Sequence, residues 1–175
     1  MRTPDRITVR PCTVRDLPLL ERDLPPATVH AQHLRQQDEG VRTYLGAFLD
    51  RRAVGTCVVS WDGCREPALR EAFPDAIEIA AVQVGEAWRG QGVGTALIQA
   101  AEQLVTDAGR RRIVIGVADD DPGAEALYLR LGFASTGRYE TSRYELPGPT
   151  GAAVEVTERN HILVKDLGEP HPPSG

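Results

Sequence analysis

The chain has 175 residues, 41% of them hydrophobic and 26% charged, with a formal net charge of −5. That length fits one domain with volume for a hydrophobic core, and mild acidity argues against a general nucleic-acid binder, which needs a basic surface to meet phosphates. No apolar run approaches the length that crosses a bilayer and the N-terminal segment MRTPDRITVRPCTVRD lacks the apolar stretch of a signal peptide, so a cytoplasmic chain without membrane contact is expected.

In chain order, ITVRPCT alternates apolar and polar residues from Ile7 and predicts a first strand. Thr13 and Asp16 make a capping-box-like start to a short helix through Leu17, Leu19 and Leu20, ended by Pro25-Pro26. A second helix is expected from about Ala27 to Glu39, with Gly40 as its stop. VRTYLGAFLD and AVGTCVVSW read as a hairpin with Arg51-Arg52 at the turn. DGCREPALREAFPD is loop-like with room for a helical turn, and AIEIAAVQV is a nearly continuous apolar strand of the kind covered on both faces. Beyond a glycine-rich stretch, Ala96, Leu97, Ala100, Ala101, Leu104, Val105 and Ala108 recur at helical spacing until Gly109. RRIVIGVAD is a further buried strand, after which Asp121 as N-cap and Pro122 at the first helical position open a helix. Its core face is read as Ala124, Leu127 and Leu131, and its stop as Gly132. FASTGRYETSRYEL and HILVKDL are the last expected strands, joined through a Gly/Pro-rich loop near residues 147 to 153. A single domain is expected over 1–167, with 168–175 as a disordered tail.

The most informative stretch is VGEAWRGQGVGTALIQAAE, residues 84–102. A strand that ends in glycines and enters a helix presents free backbone N–H groups at the positive end of the helix dipole, where anions, and phosphates above all, bind. Glycines let a ligand approach the main chain with no Cβ in the way, and permit the positive φ with which successive N–H groups curve into a nest. The expected ligand is a pyrophosphate. A Walker A loop requires Gly-Lys-Ser/Thr, and no lysine stands near. The dinucleotide pattern GxGxxG, started at Gly90, puts Thr95 at its third glycine.

Arg89-Gly90-Gln91-Gly92-Val93-Gly94 resembles the R/Q-x-x-G-x-G/A signature of the GCN5-related N-acetyltransferase (GNAT) family, which binds the pyrophosphate of acetyl-coenzyme A. IEIAAVQV looks like that family's fourth strand, and DPGAEALYLRLGF resembles its second landmark, N-x-x-A-x-x-x-Y-x-x-x-GF, with Asp121 where the family usually has Asn. The resemblance covers nearly the whole chain in element order. It implies the GNAT fold, a mixed α/β sheet in the order β-α-α-β-β-β-α-β-α-β-β with its fourth and fifth strands splayed, and direct acetyl transfer from acetyl-CoA to a primary amine without a covalent intermediate. It also implies roles residue by residue. The backbone of Arg89, Gly90, Gln91, Gly92, Val93, Gly94 and Thr95 would hold the cofactor, with Asp121 and Arg130 as lesser contacts. A backbone N–H near Val82 to Val84 would polarise the thioester carbonyl.

Two side chains carry the remaining chemistry. By spacing alone Tyr128 reads as an aromatic packed beside Leu127 and Leu131; the resemblance instead matches it to the tyrosine that protonates the departing thiolate, a task open to a phenol with a pKa of about 10. An alkylamine with a pKa of about 10.4 must lose a proton before it attacks, and the resemblance implies Glu78 as the candidate base, since some members of that family carry a glutamate at the matching place, six residues before the valine that ends the strand; the alternative is a solvated glutamate near a strand start. A non-catalytic acyl-CoA-binding module, or a nucleotide-binding domain taking NAD or ATP on the same turn, are the rival readings.

Other features are assigned blander roles. Cys12, Cys57 and Cys64, odd in number and without a CxxC pair, read as reduced packing residues. His30 and His33 could share a helix face, but no third ligand has suggestive spacing; surface histidines are the simpler reading and no metal is expected. The aspartates at 119–121 read as a helix cap with solvated neighbours. The Arg110–Arg112 run lies about 20 Å from the glycines along the helix and is assigned to solvent and the helix dipole. The acceptor, a small-molecule or peptide amine, is expected to meet residues 24–40, 62–76 and 134–161, including Arg138, Glu140, Arg143, Tyr144, Glu145 and Glu155. Homodimerisation accords with family habit.

Overall fold

The computed structural model describes residues 6–168, so all but the first residue of the expected tail lies outside the described residues. Among the described residues seven strands follow the order β1-β2-β3-β4-β5-β7-β6 in a mixed α/β fold. The chain divides into two compact units, one built from the chain up to Ile113 and from Asp166 onward, the other from Val114–Lys165.

The first unit contains β1 (Thr8–Pro11), α1 (Leu17–Asp23), α2 (Thr28–Asp38), β2 (Arg42–Leu49), β3 (Arg52–Ser60), α3 (Pro67–Ala72), β4 (Ala76–Val84), α4 (Val93–Asp107) and the first residues of β5 (Arg112–Ala118). β1 to β4 are antiparallel neighbours. All of β3 beyond Arg52 is buried, because helices lie on both faces of the sheet. On one face Leu20, Leu24 and Leu34 of the α1–α2 segment meet Cys12, Tyr44, Phe48, Ala53 and Val58. Leu45 and Ala47 alternate to the opposite face, where α4 packs on β2 and β3.

Asp16, His30 and Tyr44 inside this unit are paired, whereas among the described residues His33 Nδ1 and Arg42 Nε are buried without a hydrogen-bond partner. Asp16, 5% exposed, takes a bidentate pair from Arg10 at 2.7 Å and the Thr13 N–H at 2.8 Å, which hold its carboxyl below the ordinary range against the cost of burial. The expected capping box is thus also an ion pair to β1. His30 is fully buried, not a surface histidine: Nε2 donates to the Leu24 carbonyl at 2.6 Å, so in the neutral ring Nδ1 accepts from the Tyr44 hydroxyl at 2.7 Å. Burial pushes Tyr44, Cys12 and Cys57 up to about 12, so the thiols are packing groups, as composition implied. Among the described residues no helix is long and apolar enough to cross a membrane.

The second unit holds the remainder of β5, α5 (Pro122–Arg130), β6 (Ala134–Pro147) and β7 (Ala153–Asp166) up to Lys165. β6 and β7 form a long antiparallel hairpin, in register from Tyr139–His161 to Pro147–Ala153. Its return strand begins eight residues before the expected HILVKDL, because AVEVTERN alternates along β6 although its polar content masks the period.

Several local expectations change. The β2–β3 turn is Asp50-Arg51, with Asp50 at φ 54°. In the loop-like segment the helical turn for which there was room is α3. On α4 the buried face includes Ile98 and omits Ala108, and on α5 it is Tyr128, not Leu127, that is buried. The arginine run is pinned to protein, not given to solvent alone: Arg112 pairs with Asp166 at 2.8 Å and Asp75 at 3.2 Å, and Arg110 donates to the Asp75 carbonyl at 3.2 Å.

α4 packs tightly over a glycine of β3. A Cβ on Gly55 would stand 2.8 Å from the Gln83 carbonyl oxygen and from Val93 Cγ1, and 3.0 Å from Leu97 Cδ1. Gly55→Ala should therefore cost about 1–3 kcal/mol through overpacking, read as a lowered urea midpoint with an unchanged m-value.

Candidate functional site

The candidate site of the first unit is built on β4 and the turn that follows it. Pairing with β3 runs Ser60–Glu78, Val59–Ile79, Val58–Ala80 and resumes at Thr56–Gln83 and Gly55–Val84, so Ala81 and Val82 both stand opposite Cys57. This is a β-bulge, and Ala81 absorbs it at φ 51°, in the left-handed region where a bulge of this kind ordinarily places glycine. An L-residue there costs about 1–2 kcal/mol. The bulge ends the strand's double cover: Ala76, Ile77 and Ile79 are fully buried, whereas Ala81 is exposed and Val82 to Val84 are half-buried. The expectation of an apolar strand covered on both faces holds for its first half only. Val82 lies within the bulge and Val84 pairs with Gly55.

Glu78 lies in the first half, half-buried, and its carboxylate accepts the Arg65 N–H at 2.8 Å. Desolvation raises its pKa above the ordinary carboxylate range, opposed by that hydrogen bond and by the charges of Arg42 and Arg65. It is not the solvated glutamate of the bland reading. A carboxyl with a raised pKa is better matched to a proton on an amine or a water than an ordinary one.

Beyond β4 the Gly85 N–H bonds the Val54 carbonyl at 2.9 Å, and Glu86–Trp88 form a single 3-10 turn. Arg89 is extended and exposed, Gly90 turns at φ 72°, and Gly92 at φ 85° caps α4. The Gln91 amide donates to the Ala87 carbonyl at 3.1 Å and steadies the turn. The first helical bond runs from Ala96 N–H to Gly92 O at 3.0 Å, so the N–H groups of Val93, Gly94 and Thr95 precede the ladder at the positive helix end. Nothing stands within 4 Å of where a Cβ would lie on Gly90 or Gly92. Both glycines are thus required by φ, and the space beside them is open to a ligand. Leu97, Ile98, Ala101 and Val105 bury the far face of α4 and fix this terminus.

In the second unit, Asp121 caps α5 as the sequence implied, accepting the Ala124 N–H at 3.0 Å. Tyr128, 4% exposed, packs its ring on Phe133 with centroids 6.0 Å apart, the environment of a core aromatic. Arg130 is exposed in the last turn of α5. Asp119 faces Arg159 at 3.5 Å, and among the described residues no group of three or more His, Cys, Asp or Glu side chains is placed to hold a metal. Sequence reasoning missed the bulge at Ala81, for which no glycine gave a signal, and the Arg65 N–H that orients Glu78, since a main-chain donor carries no side-chain identity.

The fold and this turn define an α/β protein in which two left-handed glycines lead into α4 and leave its first N–H groups ahead of the helical ladder. A family model described as Acetyltransferase (GNAT) family matches residues 11–133, and the chain belongs to that family. Mycothiol acetyltransferase of Corynebacterium efficiens is 36% identical over 62 residues, 35% of this chain and 21% of that protein. N-acetyltransferase 8B of Rattus norvegicus is 39% identical over 51 residues, 29% and 23% of the two chains. The matches thus span about a fifth of the length of these curated relatives. Among solved structures, an N-acetyltransferase from Staphylococcus aureus Mu50 matches with a TM-score of 0.69 at 15% identity, over 93% of this chain and 99% of that one. A GNAT family acetyltransferase from Elizabethkingia anophelis with acetyl-CoA bound gives 0.62 at 19% identity, over 93% and 99%. At such identities the likeness is one of fold.

The raised Glu78 pKa fixes the sign of a stability effect. Protonation favours the folded state, so this group's contribution is complete below the ordinary carboxylate pKa and is lost as pH rises through the raised value. Glu78→Gln stays neutral throughout. Its Tm should exceed that of the parent at pH 7 to 8, and the gap should close near pH 4, as measured by thermal melts across that range.

Proposed function

We propose that this chain transfers an acetyl group from acetyl-CoA directly to a primary amine. The observation that carries the reading is the cradle at Gly90 and Gly92: two left-handed glycines with open space beside them, ahead of N–H groups that precede the helical ladder. These features suit a pyrophosphate, and the family membership makes acetyl-CoA its source. Bound there, acetyl-CoA supplies an acyl carbon already activated as a thioester.

The chain's own residues would then divide the work. The backbone from Arg89 to Thr95 holds the phosphates, and Arg130 meets a further one. Asp121 acts as a helix cap; its carboxylate is committed to the Ala124 N–H and repels an anion. An N–H of Val82 or Val84 donates to the carbonyl oxygen as negative charge develops on it. Glu78, with its raised pKa, removes the proton that keeps the amine from attacking, directly or through one water. Tyr128 returns a proton to the departing thiolate. The acceptor is a small-molecule or peptide amine.

Two measurements test this. Calorimetric titration should give micromolar binding of acetyl-CoA and none of NAD or ATP, and Gly92→Glu should abolish it, since a side chain there is strained at φ 85° and sets a carboxylate in the cradle. Absence of acetyl-CoA binding to the parent would sink the reading. Thiol release across an amine panel should fall about 10²- to 10⁴-fold in kcat for Tyr128→Phe with unchanged acetyl-CoA affinity; equal turnover would remove Tyr128 from the mechanism. Tight binding with no thiol release for any amine would favour the non-catalytic module.

A further inference from the structure

Glu125 of α5, Ser135 of β6 and His161 of β7 form one hydrogen-bonded line inside the second unit. His161 Nδ1 lies 2.9 Å from Glu125 Oε1 and Nε2 lies 2.6 Å from Ser135 Oγ. The Gly137 N–H donates to the same Oγ at 3.1 Å. In the neutral ring the proton positions follow from the partners. The carboxylate can only accept, so Nδ1 carries the hydrogen, Nε2 keeps its lone pair, and the serine hydroxyl donates to it. This is the tautomer in which an imidazole serves as base toward a hydroxyl.

The backbone explains how the three meet. β6 pairs Ser135 with Leu163 and Tyr139 with His161, so Thr136, Gly137 and Arg138 stand opposite Ile162 alone. The bulge, with Gly137 at φ 71°, draws Ser135 toward the histidine two positions along the partner strand. Tyr139 stacks on the imidazole with centroids 4.9 Å apart and 16° between planes, and the Arg159 guanidinium lies 3.8 Å from the tyrosine ring centre. The ring plane is therefore fixed. The His161 side chain is 13% exposed while Ser135 is open to solvent, so the base is shielded and the hydroxyl is reachable.

We propose that Ser135 is an acyl-accepting nucleophile, activated by His161 and Glu125, toward activated esters and thioesters of short acyl groups. Oγ bonds to the acyl carbon as its proton passes to Nε2; the bond from that carbon to the leaving alcohol or thiol breaks, and the leaving group takes the proton. Water then attacks the acyl-serine with Nε2 again as base, releasing the acid and restoring the serine. The step needs only the ester and water, and stands independently of amine acetylation.

The test uses p-nitrophenyl acetate and, separately, a fluorophosphonate probe on the intact protein, with peptide mass spectrometry to locate the label. Acylation and phosphonylation at Ser135 are expected, with Ser135→Ala abolishing both. His161→Gln should slow labelling about 10²- to 10⁴-fold, with Glu125→Gln intermediate. A merely structural hydrogen-bond chain would not accelerate labelling. Should a variant fail to fold, as read by circular dichroism, the parent labelled in its native state against the same chain in urea supplies the comparison, and the native rate should be the higher by a similar factor. No label on Ser135, or the same rate in folded His161→Gln or in the urea-unfolded parent, would overturn the proposal.

Discussion

An antiparallel strand with one residue too many has to put it somewhere, and β4 puts it in Ala81 at φ 51°. Much of the first unit's geometry depends on that choice. Before the bulge, Ile77 and Ile79 are held in the core and Glu78 is half-buried, close enough to the loop above for the Arg65 N–H to reach it. After the bulge the pairing is offset by one, the strand emerges toward solvent, and Gly85 bonds the Val54 carbonyl at the entry to the glycine turn. A strand that stayed regular would keep its later residues in the same alternation as Ile77 and Ile79. The local strain is sustained because β3 and α4 pack against the strand and fix it.

The glycines complete what the bulge begins. A helix N-terminus always leaves N–H groups without helical partners, and most chains satisfy them with a side-chain cap. Gly92 offers none, and no side-chain cap bond is made at α4. α5 shows the contrasting solution in the same molecule, where Asp121 accepts the Ala124 N–H and closes that terminus to an anion. One helix start is left open and the other is sealed, and the difference lies in a glycine against an aspartate.

The architecture was legible in the sequence because it rests on periodicity and punctuation. Gly40, Gly92, Gly109 and Gly132 sit at positive φ where helices begin or end, and two strand-like runs on either side of Arg51-Arg52 mark the β2–β3 hairpin. The errors fall where a residue's partner is distant or its pattern is polar. His30 looked like a surface residue because nothing near it in sequence announces Tyr44 or the Leu24 carbonyl. AVEVTERN gave no strand signal because an exposed strand needs few apolar residues. The arginine run looked solvated because Asp75 and Asp166, which hold Arg112, lie 37 and 54 residues away.

The sites were less legible than the elements for a shared physical reason: in both units the functional geometry depends on a bulge. β4 carries one extra residue at Ala81, and β6 carries two beside Gly137. A regular strand sends side chains to fixed faces at a fixed spacing, and sequence pattern reads that spacing well. A bulge breaks the spacing locally and re-aims its neighbours; beside it Ser135, paired with Leu163, bonds the histidine two positions along the partner strand. Such an offset arises from tertiary packing on the flanking elements; in β4 the residue that absorbs it is an alanine, which has no composition that betrays it, whereas β6 sets Gly137 in its bulge beside Ser135. Chemistry requires side chains to converge on a point, whereas ideal strands keep theirs apart, and the irregular positions are where this fold reconciles the two.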